Sequence, residues 1–153
     1  MIEPGASFVG GLNGGTSSSA IEFAPGSNGR LAGFGSSIVN FGTITFDPGA
    51  AWTIAGNTSG LNGVISGFAQ PDTIDLIGLT ETIELYSAGT LTLTGDQTVE
   101  LNLPGSFTTA SFLTAPDAGI GTDIFLACFV AGTHIATDAG EVPLRISASV
   151  TTQ

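Results

Sequence analysis

The sequence predicts an all-β protein, a parallel β-helix or solenoid-like stack of short strands, with a β-sandwich as the alternative. Three observations point there. Glycine, serine and threonine are abundant and charged residues make up only 10% of the chain, a mixture that disfavours helix interiors and suits strands and turns. Short runs with period-two alternation of apolar and polar residues recur between Gly/Asn/Asp/Pro turn signals. A weak repeat places Phe41 and Phe68 27 positions apart and Ile44 and Ile74 30 apart, a period of the size that stacked coils produce. At 153 residues, with 42% hydrophobic content, the chain has enough apolar material for a real core.

Residues 1–32 are Gly/Ser/Asn-rich, with Gly10-Gly11, Gly14-Gly15 and Ser17-Ser18-Ser19 as linker or turn material, and are expected to be loops with one or two short strands. A β-passenger region is expected over 33–127. Its strands run through Ile38–Phe41, Thr43–Phe46, Ala51–Ile54, Gly63–Ile65, Thr73–Ile77, Thr82–Tyr86, Thr90–Thr94 and Thr98–Leu103. Thr or an acid takes the wet face, and Ile, Leu, Val or Phe the dry one. Asp47-Pro48-Gly49, Gly56-Asn57, Leu61-Asn62-Gly63, Pro71-Asp72, Ala88-Gly89, Gly95-Asp96 and Pro104-Gly105 supply turn chemistry between them. Tyr86–Leu103 reads as a meander around Gly95-Asp96-Gln97, Phe107–Phe112 as a helical turn or loop, and Asp123–Ala127 as a final strand.

Charge excludes some functions. Lysine is absent, and Arg30 and Arg145 stand against thirteen carboxylates for a net charge of −11. Nucleic acid and anionic membrane surfaces need basic clusters, so neither is an expected partner. No apolar run is long enough to span a membrane, and the opening Met1-Ile2-Glu3-Pro4-Gly5 lacks the basic and apolar regions of a signal peptide. The single cysteine, Cys128, rules out an intrachain disulfide.

The sharpest motif is Cys128-Phe129-Val130-Ala131-Gly132-Thr133-His134-Ile135, followed by Gly140-Glu141-Val142-Pro143. It resembles the opening block of the Hint (Hedgehog/intein) family of bacterial surface proteins. Ile65-Ser66-Gly67-Phe68 with Asp72–Leu76, and Phe112 leading into Asp117–Asp123, are similar to the β-repeat passenger regions that precede such blocks. The resemblance implies that the Cys128 thiol attacks the carbonyl of the Ala127–Cys128 bond, converting an amide into a labile thioester. The family's assisting Thr-x-x-His does not occur in this sequence, and His134 occupies a different place in the pattern. Residues 128–153 are therefore expected to be a truncated, vestigial Hint-like start, with Cys128 the one catalytic candidate.

Three functions follow as expectations. The first is a secreted or cell-surface structural or adhesive module, self-associating through solenoid ends. The second is single-turnover autoprocessing at Ala127–Cys128. The third is a carbohydrate- or surface-binding module, which would show exposed aromatics in a row on one sheet face; Trp52 and the ten phenylalanines are expected in the core rather than as such a platform. Asp72, Asp75, Asp117 and Asp123 are oxygen ligands of the kind that hold Ca²⁺, although turn-forming Asp residues that cap their own backbone look the same. Asn57-Thr58-Ser59 matches a glycosylation acceptor.

Overall fold

A computed structural model describes residues 1–15 and 18–128; His134 and the rest of the Hint-like block after Cys128 lie outside them. The described residues form thirteen strands: β1 Leu12–Asn13, β2 Ala20–Phe23, β3 Gly26–Phe34, β4 Ile38–Val39, β5 Thr43–Phe46, β6 Ala50–Gly56, β7 Val64–Ser66, β8 Thr73–Ile77, β9 Glu81–Ser87, β10 Thr90–Gly95, β11 Val99–Asn102, β12 Phe112–Pro116 and β13 Gly121–Leu126. One 3₁₀ turn, Thr109–Ser111, precedes β12. The fold is all-β, in two mixed sheets. One has the order β1-β4-β3-β6-β8-β13-β12 and the other β2-β5-β7-β11-β10-β9.

The chain alternates between the sheets as it advances. β2, β5 and β7 pair in parallel, with Ile44 facing Ile21 on one side and Ile65 on the other. β3, β6 and β8 also pair in parallel, with Ile54 between Leu31 and Ile74. Each strand's partner is thus found 20–24 positions along the sequence. This corrects the register expected from the 27- and 30-residue repeat. Ile44 aligns with Ile65, while Ile74 belongs to the other sheet. The similar words that suggested the repeat were a strand of one sheet matched to a strand of the other.

Residues 1–32 hold more strand than the one or two short ones expected. They supply β1, β2 and most of β3, and Ile2 bridges to Phe23 beyond the edge of β2. β3 is legible only through its partner. It is Gly-rich and poor in β-formers, but Gly29 sits opposite Trp52 in β6, and a Cβ there would fall 2.2 Å from the indole. Glycine at 29 is what lets the largest side chain of the core lie flat against the neighbouring strand.

The core lies between the sheets. Phe23, Phe46 and Phe68 form an internal column with centroid separations of 5.4 and 6.0 Å, and Trp52 packs on Phe23 at 4.6 Å with the rings tilted by 41°. Trp52 Nε1 donates to the Ala24 carbonyl at 2.9 Å, which satisfies the one polar atom of that ring.

Past β8 the pairing changes character. β9, β10 and β11 make an antiparallel meander; β12 and β13 make an antiparallel hairpin, and β13 lies antiparallel to β8. Tyr86 of β9 packs on Phe107 and on Phe112 of β12, and its hydroxyl donates to the carbonyls of Leu103 and Gly105. This cluster ties the last strands of one sheet to those of the other. Among the described residues no helix is long and apolar enough to cross a membrane.

Candidate functional site

Cys128 is exposed, two residues past the end of β13. The hairpin delivers it there: β13 is paired on both sides, Ala127 N–H donates to the Ser111 carbonyl at 2.8 Å, and Gln70 Nε2 donates to the Leu126 carbonyl at 2.9 Å. The peptide nitrogen just upstream of the expected scissile bond is therefore held by the protein. Beside the thiol runs a groove of about 500 Å³ lined by Gln70, Pro71, Asp72, Thr73, Leu113, Phe125 and Leu126. Among the described residues, Asp72 is the only ionisable group in that lining other than the thiol itself.

Asp72 is fully committed elsewhere. It is buried; one carboxylate oxygen accepts from Trp52 N–H and the other from Ala69 N–H, each at 3.1 Å. Burial pushes its carboxyl above the usual range, and the two backbone donors oppose that. Its work is to close the turn before β8 and to anchor β6, the capping role that competes with the calcium reading.

The other calcium candidates are arranged differently. Asp75 of β8 and Asp123 of β13 are direct cross-strand partners. Asp75 is 4% exposed, its Oδ2 lies 3.5 Å from Arg30 Nη2, and its Oδ1 is buried without a hydrogen-bond partner. Burial, then the charges of Asp123 and Asp117, raises the Asp75 carboxyl, with Arg30 opposing. Asp123 is raised by burial and by Asp117. Asp117 caps its own hairpin turn, accepting from Gly119 N–H at 2.7 Å. The four acids do not gather: among the described residues no three acidic, His or Cys side chains form a metal-holding group.

Two further expectations meet the geometry. Trp52 is 2% exposed and lies in the core, as expected, so it offers no face to a sugar. Asn57 Oδ1 accepts from Ser59 N–H, Ser59 Oγ and Gly60 N–H, so its carboxamide closes a turn.

Sequence reasoning missed two features. Glu81 is buried at the start of β9, with Oε1 accepting from Gln97 N–H at 3.2 Å and Oε2 unpartnered; nothing in the alternation of Thr82–Tyr86 signals it. The second is a cavity of about 530 Å³ where the ends of β4, β7 and β11 meet, lined among others by Asn40, Phe41, Asn62 and Asn102. These residues are far apart in sequence, and only the sheet order brings them together.

No family model, curated protein or solved structure matches this chain.

Proposed function

We propose that residues 1–127 are a short β-solenoid-type structural module of a secreted or cell-surface protein, carrying at its C-terminal side the start of a Hint-like block. The observation that carries this reading is the register. Strands of both sheets pair in parallel with partners 20–24 positions on, as successive coils do, and identical or similar side chains stack in columns. The antiparallel meander and hairpin then serve as the cap that a stack of coils requires at its end. The acidic, lysine-free composition and the likeness of Cys128–Pro143 to Hint openings support an exported protein.

The test is removal of one coil. Deleting residues 43–63 puts Val64 where Thr43 stood and offers β8 to β3 in the register β6 had. A solenoid heals this cut, leaving a cooperative β-rich protein whose urea m-value falls with the surface removed. A sandwich loses the middle of both sheets, and an unfolded deletion chain beside a folded full-length one refutes the reading.

A second reading, autoprocessing at Ala127–Cys128, is favoured by the exposed thiol and the held Ala127 nitrogen. Intact-mass spectrometry of the full chain with added thiol decides it. A fragment ending at Ala127, lost in Cys128→Ala, establishes cleavage; an unchanged mass after days removes it.

A further inference from the structure

We propose that the cavity framed by Asn40, Asn62 and Asn102 is a binding site for a neutral saccharide. Three asparagines from three separate segments line it. Asn40 follows β4, Asn62 precedes β7, and Asn102 ends β11, where it pairs with Val64 of β7 on one side and Thr90 of β10 on the other and so joins the parallel strands to the meander.

The positioning is specific. Asn40 stands at φ +63°, a conformation that asparagine tolerates better than most residues, and its Nδ2 donates to Asn13 Oδ1 at 2.9 Å. That bond fixes the side chain and leaves its oxygen for another donor. The carboxamides of Asn62 and Asn102 are exposed and have no hydrogen-bond partner among the described residues. Gly63 packs so closely on the preceding coil that a Cβ would lie 2.8 Å from the Gly42 carbonyl, so the floor between the asparagines is bare backbone. Phe41 lines one wall.

The chemistry of the lining selects the ligand. None of Gly15, Asn40, Phe41, Ser59, Asn62 and Asn102 is charged, nor are the other lining residues. Among the described residues the lining offers no cation for a phosphate or uronate and no carboxylate for a metal, and the net charge of −11 repels anions. A purely apolar ligand would leave the carboxamides unpaired, at a cost. A carboxamide donates and accepts at once, which matches adjacent hydroxyls, and a half-buried phenyl ring suits the aliphatic face of a pyranose. The volume is that of ordinary small-ligand sites.

The test is an array of neutral and acidic glycans probed with the labelled full chain, followed by calorimetry with the strongest neutral binder. Asn62→Leu and Asn102→Leu alter exposed side chains. Asn40→Gly keeps the left-handed turn while removing the carboxamide. Each is expected to weaken binding at least about tenfold, the loss of roughly one good hydrogen bond, while Ile120→Ser, in the β12–β13 turn at the far edge of the sheet from β4 and outside the lining, binds as the parent does. Absence of neutral-glycan binding at millimolar concentration, a preference for acidic glycans, or unchanged affinity in all three asparagine variants overturns the proposal. The deletion experiment on residues 43–63 bears on the fold reading alone, so the two can fail separately.

Discussion

Replacing Asp75 by asparagine is expected to stabilise the protein at neutral pH. Asp75 is 4% exposed, has one oxygen without a hydrogen-bond partner and faces Asp123 directly across the β8–β13 ladder. A buried unsatisfied polar atom costs about 1–3 kcal/mol, and like charges directly opposite each other in an antiparallel pair add to that. Against this stands the contact with Arg30, at 3.5 Å and with the arginine side chain 63% exposed. An ion pair with one partner so exposed contributes about 0.2–1 kcal/mol. The asparagine amide can donate to Asp123, so the balance favours the variant by about 1 kcal/mol, or roughly 2–4 °C in Tm for a chain of this size. The pH dependence has a definite sign. Burial and neighbouring carboxylates raise Asp75 and Asp123 in the folded state, so between their unfolded and folded pKa values the native state binds more protons than the unfolded chain. Stability from this pair is complete below the unfolded pKa and is lost as pH rises through the folded one. Urea melts of parent and Asp75→Asn from pH 4 to pH 8 should show the variant with the smaller decline and the higher stability at pH 7. A variant less stable than the parent at pH 7, or one with the same slope, would mean that the Arg30 contact outweighs the repulsion and that the reasoning is wrong.

Two other substitutions probe the core and the turn. Phe46→Ala empties the middle of the Phe23–Phe46–Phe68 column and should cost about 3–5 kcal/mol in equilibrium denaturation; a loss under 1 kcal/mol would show that the column is not where the two sheets are held. Asp72→Ala strips the acceptors from Trp52 N–H and Ala69 N–H and should cost about 2–4 kcal/mol, equally in calcium and in chelator. A penalty that appears only with calcium present would restore Asp72 as a ligand.

Much of the fold is written in local alternation. Thr43–Phe46 and Thr73–Ile77 are strands with the expected ends, because each alternates a polar face with buried isoleucine, leucine or phenylalanine between explicit turns. The hairpins at Ala88-Gly89 and around Asp96 were equally plain. What local pattern could not carry was partnership. β3 is a nine-residue strand whose sequence, Gly-Ser-Asn-Gly-Arg-Leu-Ala-Gly-Phe, has the composition of a linker; it is extended because β6 lies beside it. β12 was hidden because Phe112 follows a 3₁₀ turn and the strand stops at Pro116, so the run reads as a loop. The candidate acids were visible as residues but not as roles. The same Asp-x-x-Asp spacing yields one carboxylate turned to backbone donors and one facing another acid. The asparagine cavity was invisible, since its walls come from the turns around Asn40 and Asn62 and from the end of β11, which only the sheet order brings together.

The position of β13 has a mechanical consequence. Whatever follows Cys128 is tethered to a strand gripped on both sides, by β8 and by β12, over most of its length. A pull along that strand loads both ladders in shear, so many hydrogen bonds must give way together before the strand can slide. Anything tugging on the downstream block therefore acts on a strand held between two neighbours, one in from the edge of a seven-stranded sheet, rather than peeling a free edge.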